Sequence, residues 1–149
     1  MCAGKIVNDK EVLTGLIQLE ERGQAKIIDK YVTDKEEELC FSACDSVLLP
    51  YVKHFGSSGV LSRAAAAGKM MIWSDFDLVG KRILENKLGL LFKSENSDSL
   101  GEKMLEALNI DLKIFEKYNQ AAISYADTCS FDAFKNALLK PFLSSNRKS

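Results

Sequence analysis

Residues 45–68, DSVLLPYVKHFGSSGVLSRAAAAG, set a short apolar run, a glycine- and serine-rich turn and an alanine-rich segment in immediate succession. Val47, Leu48 and Leu49 form the run and Pro50 closes it, the pattern of a strand buried on both faces that ends at a turn. Gly56, Ser57, Ser58 and Gly59 follow, and residues 60–67 read as a helix. The chain is thereby limited to folds in which a strand feeds a tight loop and then a helix. Because no bulky side chain crowds the turn, the N–H groups of residues 56–60 can stay bare where the helix begins, which suits an anion such as a diphosphate. The plainer reading is that Ser57 or Ser58 caps the helix while the glycines let it pack close to the sheet. Taken alone, the turn favours that plainer reading.

The flanking sequence repeats the alternation. Asn8 with Glu11 reads as a capping pair, and Val12, Leu13, Leu16 and Ile17 keep helical spacing until Gly23. A short strand within residues 25–32 centres on Ile27 and Ile28, and Thr33 with Glu36 forms a capping box for a helix with the apolar seam Leu39, Cys40, Ala43 and Cys44. Gly68 turns the chain into a strand at 70–73, then come a short helix at 79–84 and a strand at 89–92. Ser97 or Ser99 caps the next helix, whose Leu100, Met104, Leu105 and Leu108 form a core-facing stripe. Ile114, Phe115 and Tyr118 share a further helix, and Ser130 caps a last one carrying Phe134, Leu138 and Leu139 before Pro141. Each parallel strand pair needs a crossover, so the order predicts an α/β fold: a parallel sheet with helices on both faces and a helical C-terminal tail. Residues 1–143 are expected to form one domain and residues 144–149 a disordered tail. The opening Cys2-Ala3-Gly4-Lys5 looks like the end of a strand, so a piece of a longer protein is expected.

Ligands of such sheets bind beyond the carboxyl ends of the strands, which here are the loops at 50–59, 30–33 and 74–78. With 20 Lys and Arg against 21 Asp and Glu, the formal net charge of -1 supplies no basic field for nucleic acid. The four cysteines include no CxxC, and a single histidine, His54, leaves no zinc-ligand set. Cys40 and Cys44 read as small buried apolar residues. No apolar run approaches a membrane span and the start is unlike a signal peptide, so a soluble, cytoplasmic protein is expected.

Asp45, the strand ending in Pro50-Tyr51, the Phe55-Gly56 turn and Ala66-Ala67-Gly68-Lys69 together resemble the carboxy-terminal half of a family 4 glycosyltransferase of the GT-B fold. The resemblance extends to Tyr31-Val32-Thr33-Asp34-Lys35-Glu36-Glu37, to Asn86-Lys87-Leu88-Gly89-Leu90-Leu91 and to the last helix at 130–139. It implies a Rossmann-like domain that binds the nucleotide part of an activated sugar, with a separate amino-terminal domain of the same parent chain holding the acceptor. Carried over by position, the amides of Gly56, Ser57, Ser58, Gly59 and Val60 would hold the donor diphosphate. Lys30, Tyr31 and Val32 would lie near the nucleobase, and His54 and Phe55 near the sugar. A retaining, metal-independent transfer with no cofactor beyond the nucleotide-diphosphate-sugar donor is implied, and the chain by itself is expected to be inactive.

The family usually places two glutamates eight positions apart around the central turn, for the sugar hydroxyls and the ribose. Those slots hold Phe55 and Arg63 here. A carboxylate accepts from two hydroxyls, whereas Phe offers nothing and Arg only donates. Arg63 reads first as a solvated position on the helix, and the sharper alternative is that it reaches a phosphate oxygen from one turn in. The resembled family also brings an Arg and a Lys to the leaving phosphates; Lys5 is the nearest basic residue and is read as lying at the wrong strand end. Two other classes stay open: a degenerate transferase-like interaction module, which the absent glutamates favour, and a flavodoxin-like or receiver-type domain. A receiver needs acidic residues at its first strand end, where this chain has Ala3-Gly4-Lys5.

Overall fold

A computed structural model describes residues 1–7, 9–53 and 55–145. The chain is α/β and divides into two compact units, Met1–Asp45 and Ser46–Ser149. No helix of the described residues is long and apolar enough to cross a membrane.

The first unit holds β1 (Cys2–Ala3), α1 (Lys10–Glu21), β2 (Ile27–Ile28) and α2 (Asp34–Ser42). β1 and β2 pair in parallel, Cys2 opposite Ile27 and Ala3 opposite Ile28. Asp9 caps α1 by accepting the Val12 N–H, one residue later than the expected cap Asn8, which lies outside the described residues. Gly23, at φ +68°, turns the chain out of α1 as a left-handed residue that glycine adopts without steric cost. The capping box of α2 forms as predicted: Thr33 Oγ1 accepts the Glu36 N–H while the Glu36 carboxylate accepts the Thr33 N–H. Its apolar seam is a correction, since Leu39 is 60% exposed and α2 has no buried residue. Cys40 and Cys44 are half-buried, not the buried residues expected, and the Cys44 thiol donates to the Phe41 carbonyl at 3.3 Å. Lys5 also needs correcting. Parallel pairing brings the ends of β1 and β2 together, and Lys5 Nζ lies 3.2 Å from Asp29, just past β2, so it stands at the carboxyl end of the strands.

The second unit holds β3 (Ser46–Leu49), α3 (Gly59–Ala66), β4 (Met70–Ser74), α4 (Asp77–Asn86), β5 (Gly89–Phe92), α5 (Ser97–Leu108), α6 (Leu112–Thr128) and α7 (Phe131–Ser145). Its sheet runs β3-β4-β5, all parallel. Side chains alternate between faces along a strand, and every residue of β4 is buried, so helices cover both faces of the sheet. Leu61, Ala64 and Ala65 of α3, Val79 and Ile83 of α4 and Ala122 of α6 complete the core. Small residues let α3 lie against α6, and the Asn119 side chain of α6 accepts the Met70 N–H at 2.9 Å where β4 begins.

The expectation placed the strand buried on both faces at β3, and the strand that is buried throughout is β4. Among the described residues β3 pairs with β4 alone, and its Leu48 is 38% exposed. Asn96, not Ser97 or Ser99, caps α5 by accepting the Ser99 N–H, and Ser99 Oγ accepts the Lys93 N–H instead. The α5 stripe does not face the core: Met104, Leu105 and Leu108 are exposed and Leu100 is half-buried. Ser130 caps α7 through the Ala133 N–H, and that helix runs through Pro141 to Ser145, past the expected stop.

Gly89 gives this sheet its sharpest test. A Cβ there would sit 1.9 Å from the Met71 carbonyl oxygen, so β5 pairs with β4 only because the side chain is absent. Gly101, inside α5, has nothing within 4 Å of an added Cβ. Gly89→Ala is expected to cost about 3 kcal/mol or more by backbone displacement, and Gly101→Ala to stabilise by about 0.5–1 kcal/mol. Urea unfolding of both variants checks the opposite signs.

Candidate functional site

Beyond the carboxyl end of β3 the chain is held to β4 through Tyr51. Tyr51 sets its ring edge-on against Trp73, centroids 5.3 Å apart at 84°, and its carbonyl accepts the Ser74 hydroxyl at 3.1 Å. Ser74, the last residue of a wholly buried strand, thereby satisfies a hydroxyl that would otherwise be costly to bury. Phe55 packs edge-on against Phe76, also with centroids 5.3 Å apart, and remains 75% exposed. His54 lies outside the described residues. Gly56 has φ +128°, a value L side chains rarely adopt.

At the start of α3, Ser58 is the cap, its Oγ accepting the Leu61 N–H at 3.4 Å. Among the described residues, the N–H groups of Gly59 and Val60 have no hydrogen-bond partner. Gly56, Ser57 and Gly59 are exposed and Ser58 and Val60 half-buried, so the turn is open to its surroundings. Arg63 comes back along the helix to this end: its Nη2 lies 3.8 Å from where a Cβ of Gly59 would be. A helix start, two bare amides and a guanidinium thus share one place, an arrangement that favours a multiply charged anion over a neutral ligand.

Lys30, Tyr31 and Val32 belong to the first unit, directly after β2. Lys30 Nζ is 2.5 Å from Glu36 Oε1, which commits it to the capping box. Tyr31 is 82% exposed and Val32 half-buried. The Lys30 ammonium, then the Thr33 N–H and hydroxyl, hold the Glu36 carboxyl down at about 2.

Three features here escape a linear reading. Asp75 accepts the Ser94 N–H at 2.9 Å, and Lys53 Nζ meets Glu95 at 2.8 Å, contacts between loops far apart in sequence. Gly80 is the third: an added Cβ would lie 2.7 Å from the Asp75 carbonyl carbon, so its bareness lets α4 start directly over the end of β4. A glycine inside a helical pattern is the one signal that could have pointed there. Among the described residues no group of three or more His, Cys, Asp and Glu is placed to hold a metal ion.

Because the Glu36 pKa is lowered on folding, its contribution to stability is present above the ordinary value of 4.5 and is lost as pH falls towards about 2. An NMR titration of the Glu36 side chain is expected to give a midpoint near 2, moving up towards 4.5 in Lys30→Ala. No protein-family model matches the chain, and a search of curated proteins finds no match.

Proposed function

We propose that this chain is the donor-binding half of a glycosyltransferase, holding the diphosphate of a nucleotide sugar at the start of α3. The observation that carries the reading is the Arg63 Nη2 lying 3.8 Å from where a Cβ of Gly59 would be, at the start of the helix that follows the carboxyl end of β3. The α/β architecture and the order of its motifs support it, since ligands of open parallel sheets sit at that end.

In this reading the protein's contribution to catalysis is electrostatic. When the bond between the sugar and the diphosphate breaks, negative charge grows on the departing phosphate. Fixed N–H dipoles aimed there lower the barrier because they need not reorganise. A helix start alone supplies only about 0.3–1 kcal/mol per charge at an exposed surface, so a cation has to assist, and Arg63 is the one this element provides. A guanidinium can donate two parallel hydrogen bonds to phosphate oxygens. Phe55 and Arg63 in place of the glutamates remove acceptors for sugar and ribose hydroxyls, so affinity rests on the diphosphate and the base rather than on the sugar. The acceptor is then bound by a separate domain of the parent chain, and the transfer is retaining and metal-independent.

A second reading draws on Phe55: its ring is packed against Phe76 where a sugar-binding carboxylate is expected, which suits a transferase-like module without catalysis. Calorimetric titration with uridine and guanosine diphosphates separates the two. Donor binding predicts saturable uptake of at least one nucleotide, weakened about tenfold by Arg63→Ala, the loss of one charge-assisted contact. Uptake of neither nucleotide overturns the donor reading and leaves the module.

A further inference from the structure

We propose that α7 is an interfacial helix that lies on an anionic lipid surface, with the side bearing Phe131, Phe134 and Leu138 set into the headgroup boundary and its lysines meeting the lipid charges. From Phe134 to Lys140 every residue of this helix is exposed, and Ala133 before them is half-buried. Phe131 is 77% exposed and Phe134 65%, and Leu138 is exposed with them. Positions 131, 134 and 138 keep helical spacing, so the three residues form one apolar stripe along the helix. Water alone is a poor setting for such an element. A helix of 15 residues whose apolar side packs on nothing is marginal by itself, and Pro141 within it has no N–H to donate to the carbonyl one turn back. The stripe therefore calls for a cover.

Charge selects that cover. From Ala133 onward the sequence holds four of the chain's 20 basic residues, Lys135, Lys140, Arg147 and Lys148, and none of its 21 acidic ones. Arg147 and Lys148 lie outside the described residues; Lys135 and Lys140 stand exposed on α7 itself. A chain of net charge -1 thus gathers a cationic segment on the helix that carries the apolar stripe. Lysine stems are long enough for the ammonium groups to reach lipid phosphates while the stripe is buried beside them. A neutral bilayer would take the stripe alone and a nucleic acid the lysines alone, whereas a bilayer with negative headgroups takes both. The helix lies in the surface and does not cross it, since no described helix is long and apolar enough to do so. None of this depends on the donor-binding reading.

The test mixes the whole chain with vesicles of phosphatidylcholine containing phosphatidylglycerol, and with vesicles of phosphatidylcholine alone, and measures the bound fraction by sedimentation. Binding to the anionic vesicles is expected, weakened by added salt and about tenfold weaker on the neutral ones. Phe134→Ser with Leu138→Ser is expected to weaken it by roughly tenfold or more, with the thermal midpoint of the chain unchanged. Lys135→Gln with Lys140→Gln is expected to weaken it about 25-fold, about fivefold for each lysine, again with no change in midpoint. In Phe134→Trp the new emission is expected to shift to the blue on anionic vesicles, against the constant background of the buried Trp73. No binding to the anionic vesicles, equal binding to both kinds, or binding indifferent to either pair of substitutions overturns the proposal. A dimer of the chain in solution that Phe134→Ser with Leu138→Ser dissociates also overturns it, because a second copy then covers the stripe.

Discussion

Burial of β4 on both faces is the constraint on which the second unit depends. Met70, Met71, Ile72, Trp73 and Ser74 are all removed from solvent, so this strand needs a paired strand on each edge and a helix on each face. A strand of five buried residues carries backbone groups that must all be bonded, and parallel ladders to β3 and β5 satisfy them. The chain meets the demand with small groups at points of closest approach. Gly89 lets β5 come against Met71, Gly80 lets α4 cross the end of β4, and Gly68 admits the Ile123 side chain. Function inherits this rigidity, because the loops that follow β3, β4 and β5 leave a frame whose strand ends are fixed.

Local signals were legible wherever one residue acts on its near neighbours. The Thr33–Glu36 box, the turn at Gly68 and the strands at Ile27–Ile28 and Gly89–Phe92 are short-range chemistry, and they stand where the residues put them. What failed was long-range. Val47-Leu48-Leu49 and Met70-Met71-Ile72 are equally apolar, and nothing within either run tells that, among the described residues, β3 has one strand neighbour and β4 two. The α5 stripe keeps helical period, but period gives only the existence of a face and not what lies against it, and Leu105 and Leu108 are exposed. Adjacent capping candidates were likewise indistinct: Asn96, Ser97 and Ser99 are all competent, and Ser99 is taken by the Lys93 N–H.

The candidate site divides along the same line. The glycine-serine turn and the helix behind it were readable from composition, including the chance that Arg63 reaches forward. That it does so depends on rotamers, and Gly59 leaves the side chain room to come back over the first turn. Lys53, Glu95, Asp75 and Ser94 were invisible because their contacts join separate loops. Lys30, by contrast, is a surface cation in sequence but a partner of Glu36 in the fold, which reduces what it can offer a ligand.

In the proposed donor reading a diphosphate sits on the amides that open α3. The most direct measurement follows the backbone amide resonances of Gly59 and Val60 while inorganic pyrophosphate and then uridine diphosphate are added. A diphosphate seated there is expected to give saturable downfield shifts at these two residues together with a response of the Arg63 guanidinium. Shifts confined to other surfaces, with Gly59 and Val60 unmoved while ligand is bound, would contradict it.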